Sequence, residues 1–158
     1  MATPLTEGQP APDFAADTDK GESVSLKDLA GKHVVLYFYP KDDTPGCTIE
    51  ACAFRDNFSQ VEAEGAVVLG VSLDSVESHE KFRDKFELPF TLLADPEHTV
   101  ADAYGVYGKQ EFRGHEYMGV ERATFLIAPD GTLAKIWPKV NPDGHAEEVL
   151  AWLREHKT

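Results

Sequence analysis

Apolar residues fall into two kinds of run along this chain. Short unbroken runs are one kind: His33-Val-Val-Leu-Tyr-Phe-Tyr39, Ala66-Val-Val-Leu-Gly-Val-Ser-Leu73 and Phe90-Thr-Leu-Leu-Ala-Asp95. Unbroken β-branched and aromatic runs of strand length suit strands buried on both faces. The other kind recurs at helical intervals. In the segment from Cys47 to Gly65, Cys47, Ala51, Phe54, Phe58 and Val61 mark one face, and Gly65 closes the helix. A second helix is expected over 75–88, capped by Ser75 or Asp74, with Val76, Phe82 and Phe86 near one side. A third runs over 96–106 with Pro96 in its first turn, and a last one over 144–156 turns Val149, Leu150 and Leu153 inward.

Residues 1–32 are rich in Pro, Gly and Asp and read as turns with a short strand, then a helical turn stopped by Gly31. Two apolar strands around Pro129-Asp130-Gly131 predict a hairpin over 122–138. Residues 107–121 show no period and are expected to form a loop. Strands alternating with helices, closed by a hairpin and a helix, argue for one α/β domain over 1–158: a central mixed β-sheet flanked by helices on both faces.

Composition narrows the function. The chain is 42% hydrophobic and of ordinary domain size at 158 residues, with no apolar stretch long enough to span a membrane. Its 28 acidic against 15 basic residues give a net charge of −13, which repels phosphate backbones and anionic lipid, so neither nucleic acid nor membrane is an expected partner. The first residues lack a basic segment followed by an apolar run, so a secretion signal is not expected and a reducing cytoplasm is.

In that compartment two cysteines point to chemistry rather than a staple, and both stand in Tyr37-Phe-Tyr-Pro-Lys-Asp-Asp-Thr-Pro-Gly-Cys-Thr-Ile-Glu-Ala-Cys52. The loop from Pro40 leaves a buried strand and enters a helix, the place where open α/β sheets put their sites. Thr44 suits an N-cap and Pro45 a first helical position, which puts Cys47 in the first turn, where the helix dipole and unpaired N–H groups favour a thiolate. The gain is limited. A thiol of pKa about 8.5 brought down to about 6 becomes only some thirtyfold more ionised at neutral pH, and nucleophilicity falls with it. A fast thiol reaction therefore needs oriented donors around the reacting atoms.

Cysteines five apart in a regular helix have Cα atoms roughly 8.6 Å from each other, beyond the ~7 Å a disulfide tolerates. Cys47 and Cys52 can bond only if the first turns unwind, so a transient disulfide coupled to local unfolding is favoured over a constitutive one. The competing readings are a buried small hydrophobe for Cys47 and an alanine-like filler for Cys52.

At this loop the sequence resembles a peroxiredoxin: Pro40, Thr44 and Cys47 stand in the register of Pro-x-x-x-Thr-x-x-Cys. It is similar in particular to the Q-type, or bacterioferritin comigratory protein, subfamily, where a resolving cysteine stands five residues after the first. The likeness extends over Ala11-Pro-Asp-Phe14, Gly70-Val-Ser-Leu-Asp-Ser75 and Glu121-Arg-Ala-Thr-Phe-Leu-Ile-Ala128. The element order reads as a thioredoxin-like plan, and the resemblance implies that fold. It further implies a thiol peroxidase of antioxidant defence, reducing hydrogen peroxide and organic hydroperoxides. Cys47 would be the peroxidatic thiolate and pass to a sulfenic acid. Thr44 would hold the peroxide, and Pro40 would shield the site from water. Arg122 would stabilise the thiolate and the departing hydroxide, with the N–H groups of Gly46 and Cys47 completing the donor set. Cys52 would resolve the sulfenic acid into an intramolecular disulfide that thioredoxin or a similar dithiol protein reduces. No cofactor or metal is implied, and a monomer is.

From the residues alone Arg122 reads equally as a surface charge at a strand entrance, and Glu50 as a solvated glutamate. Two rival functions remain: a thioredoxin-fold disulfide exchanger or thiol-redox sensor, against which stands the lack of Cys-x-x-Cys, and a metal-binding module, against which stands the lack of ligand spacing between the cysteines and His33, His79, His98 or His115.

Overall fold

A computed structural model describes residues 4–156; the ends of the 1–158 assignment, residues 1–3 and 157–158, lie outside the described residues. The N-terminal stretch supplies two short antiparallel strands, β1 (Ala15–Thr18) and β2 (Ser23–Ser25), and a 3-10 turn over Leu26–Leu29. Then follow β3 (His33–Phe38), α1 (Pro45–Ala63), β4 (Ala66–Ser72), α2 (Val76–Phe86), β5 (Thr91–Ala94), α3 (Thr99–Ala103), β6 (Tyr107–Phe112), β7 (His115–Val120), β8 (Ala123–Ile127), β9 (Leu133–Trp137) and α4 (His145–Glu155). Seven strands form one sheet in the order β2-β1-β5-β4-β3-β8-β9. The β3–β4 and β4–β5 pairs are parallel, and β3–β8 and β8–β9 are antiparallel.

Alternation along β3 explains why its run is apolar throughout. Val35 and Tyr37 face the core shared with Phe54 and Val61 of α1, Phe82 of α2 and Val149 of α4. Val34, Leu36 and Phe38 face the opposite core, with Val100 and Tyr104 and the N-terminal residues Ala11 and Phe14. Helices thus cover both faces of the mixed sheet, as the sequence predicts. Leaving the sheet centre, the chain runs from β3 directly into α1, so the site lies at the C-terminal end of the central strand.

Two expectations are corrected. Residues 107–121 are largely a hairpin, β6 paired with β7 as a separate two-stranded sheet. Arg113 and Gly114 both take positive φ, 52° and 82°, as a two-residue hairpin turn of this hand requires, but Arg-Gly lacks the usual Asn-Gly or Asp-Gly signature. Residues 113–118 of the hairpin are exposed and Lys109 is paired to Glu116 at 2.6 Å, so there is no apolar alternation to read. The third helix also starts later than expected. Asp95 reaches past Pro96 to accept the N–H groups of Val100 (3.1 Å) and Ala101 (2.9 Å), and Pro96 lies in a turn before the helix.

Candidate active site

The site is built where β3 hands over to α1. Pro40 follows the strand, is half-buried, and is succeeded by a turn in which Asp43 takes a φ of 56°. Thr44 occupies the N-cap position and Pro45 the first helical one, but Thr44 makes no side-chain capping bond. Its hydroxyl donates instead to Lys41 O at 2.9 Å. The first N–H groups of α1, those of Gly46 and Cys47 included, have no intrahelical acceptor by their position in the helix.

Cys47 is 1% exposed and Arg122, at the entrance to β8, reaches it across the sheet: Nη2 donates to Sγ at 3.3 Å. A full positive charge therefore stands against the sulfur, from a residue 75 positions away in sequence. Gly46 makes room for it, since a Cβ there would lie 3.0 Å from Arg122 Nη2 and 3.6 Å from Pro142. The Arg122 main chain is tied to the loop after β9, as Val140 N–H donates to Arg122 O at 2.8 Å. Arg122 is not a surface charge; its side chain is 15% exposed. Burial alone would pull its pKa down, and the negative partners Cys47 and Glu50 outweigh that and raise it.

Glu50 is the main surprise. A solvated glutamate is expected from sequence, yet Glu50 is fully buried at 0% exposure and accepts from Arg122 Nη1 at 2.7 Å through Oε1. Its second oxygen, Oε2, has no hydrogen-bond partner. Burial pushes its pKa from 4.5 up to about 7, against the opposing pull of Arg122. A signal for this existed: position 50 lies three after Cys47 and four before Phe54, on the same helical stripe. Tyr37 stacks on Phe54 with ring centroids 4.8 Å apart, and its buried hydroxyl also lacks a partner. Burial, then the negative charge of Glu50 and Cys47, hold Tyr37 well above the ordinary phenol range.

Cys52 is half-buried in the same unbroken helix, and both cysteines are free thiols. The structure thus brings Cys47, Gly46, Arg122 and Glu50 together, with Thr44 at the helix start and Cys52 a turn and a half further on.

Sequence reading missed a second polar cluster under the loop. Asp42, 8% exposed, accepts from Tyr39 OH (2.6 Å) and Ser78 Oγ (2.8 Å), and lies 2.7 Å from His79 Nδ1. Nε2 of His79 faces Leu93 O at 2.8 Å, an acceptor only, so that nitrogen carries a proton. Burial would lower the His79 pKa, but the Asp42 carboxylate overrides it and the net direction is up. Among the described residues, Asp42, Asp74 and His79 are the group whose donor atoms could approach one metal ion, lying within 4.8 Å of one another. Those atoms are already engaged with each other and with the loop backbone, which fits a structural role.

The chain is similar to known proteins over most of its length. Residues 7–136 match the model of the AhpC/TSA family. The chain is 51% identical to the peroxiredoxin Bcp of Bacillus subtilis over 148 residues, covering 94% of each chain. To the peroxiredoxin Bcp of Escherichia coli K12 it is 42% identical over 153 residues, covering 97% of this chain and 98% of the relative. Among solved structures it superposes on the Xanthomonas campestris bacterioferritin comigratory protein, described for alkyl peroxide reduction, with a TM-score of 0.88, 36% identity and 99% of both chains covered.

Proposed function

This chain belongs to the AhpC/TSA family, as a peroxiredoxin of the Q or Bcp kind with thiol peroxidase activity, and from that premise we propose the residues and steps by which it reduces hydroperoxides. Cys47 is the peroxidatic nucleophile. Its thiolate attacks the terminal oxygen of a hydroperoxide; the S–O bond forms as the O–O bond breaks. The electron pair leaves with the second oxygen, which takes a proton and departs as water or alcohol, and Cys47 becomes a sulfenic acid.

The donors and acceptors match that charge flow. Thr44 has committed its one hydroxyl proton to Lys41 O, so it meets the peroxide as an acceptor for the peroxide O–H. Arg122 and the N–H groups of Gly46 and Cys47 are donors for the negative charge that grows on the leaving oxygen. Pro40 screens the sulfur from water. What carries this reading is the 3.3 Å contact between Arg122 Nη2 and Cys47 Sγ at the open end of α1.

Resolution follows from helix geometry. Cys52 attacks the sulfenic sulfur and expels hydroxide, which is protonated to water, giving a Cys47–Cys52 disulfide. The two residues are too far apart in an intact helix, so the first turns of α1 unwind. Oxidation itself favours this, since a neutral sulfenic acid no longer supplies the negative charge that Arg122 faces. A dithiol protein such as thioredoxin then returns both sulfurs to thiols. Organic hydroperoxides join hydrogen peroxide as substrates, by analogy with the Xanthomonas relative. We place this chemistry in a monomer in the cytoplasm.

The test is the intact mass of reduced protein after one equivalent of hydrogen peroxide. Wild type should lose two hydrogens, Cys52→Ser should gain one oxygen, and Cys47→Ser should not change. A wild type that fails to react would sink the peroxidase assignment of these cysteines and favour disulfide exchange.

A further inference from the structure

Thr44 turns its lone pairs toward substrate because its own proton is given to Lys41 O. That carbonyl belongs to the same planar peptide unit as the Asp42 N–H, and in a trans peptide the two point in opposite directions. Fixing the N–H therefore fixes the carbonyl. The Asp42 N–H donates to Asp74 Oδ2 at 2.8 Å. The same oxygen accepts from Ser72 Oγ at 2.6 Å, and the Ser72 side chain lies buried at the end of β4. A line of hydrogen bonds thus runs from β4 through one carboxylate oxygen and one peptide plane to the Thr44 hydroxyl.

The side chain on that peptide is clamped as well. Asp42 is held by Tyr39, just after β3, and by Ser78 and His79 of α2, which fixes one end of the peptide and leaves the tilt of its plane to the bond between its N–H and Asp74. This matters because the neighbouring backbone is strained, with Asp43 at a φ of 56°, and only its surroundings keep it there.

We infer that Asp74 is a positioning residue for the peroxide step: by holding the Lys41–Asp42 peptide it commits the Thr44 proton inward and leaves the Thr44 lone pairs for the substrate. The inference rests on the reading of Thr44 as the peroxide acceptor. Without Asp74 the peptide N–H loses its acceptor, the Asp42 side-chain contacts alone no longer fix the tilt of the peptide plane, and Lys41 O holds the Thr44 proton less firmly, so that Thr44 spends part of its time pointing a donor where an acceptor is needed. The sulfur itself, held by Arg122, is untouched.

The experiment is a double-mutant cycle on the single-turnover rate of Cys47 oxidation by hydrogen peroxide, with alkylation by iodoacetamide as the control. Asp74→Ala should slow oxidation at least tenfold and leave alkylation within twofold. Asp74→Asn keeps an accepting oxygen for both donors and should stay within threefold of wild type. Thr44→Val should be slow by itself, and adding Asp74→Ala to it should cost less than a further twofold, because both changes remove one interaction. If Asp74→Ala does not fold, Asp74→Glu takes its place, since it keeps the charge but displaces the oxygen, and it too must slow oxidation. Multiplicative effects in the double variant, or parallel losses in alkylation and oxidation, overturn the inference and leave Thr44 in its role. A Thr44→Val variant that oxidises at the wild-type rate overturns both.

Discussion

Replacing Glu50 with glutamine isolates the energetic cost of keeping a carboxylate inside this site. Glu50 has no exposed surface, one oxygen is paired with Arg122 at 2.7 Å, and the other has no partner. Burial raises its pKa from 4.5 to about 7 even with Arg122 alongside. In the unfolded chain the proton leaves near pH 4.5, whereas the folded protein keeps it up to about pH 7, so the folded state binds more protons in that window. Stability therefore falls as pH rises between the two values, and the full penalty on the ionised form, about 3 kcal/mol, is present above about pH 7. Glutamine keeps the volume and an oxygen for Arg122 Nη1 but has no charge to desolvate. Urea unfolding of reduced wild type and Glu50→Gln at about pH 5 and about pH 8 reads the effect, because other titrating groups largely cancel in the difference. Moving from the lower to the higher pH, the variant should gain about 2–3 kcal/mol relative to wild type. A difference that stays constant within about 0.5 kcal/mol would refute the idea that burial governs Glu50.

Arg122→Ala removes a charged donor from the transition state and should slow peroxide reduction by well over tenfold, on the order of 2–4 kcal/mol. Stopped-flow oxidation within twofold of wild type would take Arg122 out of the site. His79→Ala tests the cluster under the loop. A histidine whose folded pKa is raised contributes stability that is fully present below its unfolded pKa and lost as pH rises through the folded one. The melting temperature of the variant should therefore fall further behind wild type at about pH 6 than well above the folded pKa, and an equal deficit at both would show that His79 is held neutral.

Much of this molecule is legible in short stretches of chain. The unbroken run of β3 needed only its composition to be read as a strand covered on both sides, and all six of its residues are buried. Thr44, Pro45 and the stripe from Cys47 to Val61 specify where α1 begins and which side faces inward. These are local facts, because backbone preference and the period of burial are set by near neighbours. The hairpin of β6 and β7 escaped for the same reason: solvated on most of its length and turning through Arg113-Gly114, it carries no local pattern to betray it.

The electrostatics of the site had to wait for the tertiary structure. Arg122 meets Glu50 across 72 positions of sequence and Cys47 across 75, while His79 meets Asp42 across 37. The motif resemblance could name Arg122, but not that its second partner is a buried glutamate. The position of Glu50 on the buried stripe of α1 hints at burial, but its partner is not visible until the chain entering β8 brings a guanidinium against it. Sequence by itself determined the central strands of the main sheet, the start of α1 and the placing of two thiols on one helix. Only the packed sheet decided which charges lose their water and which partners they find, because desolvation and ion pairing depend on groups that the chain keeps far apart until it folds.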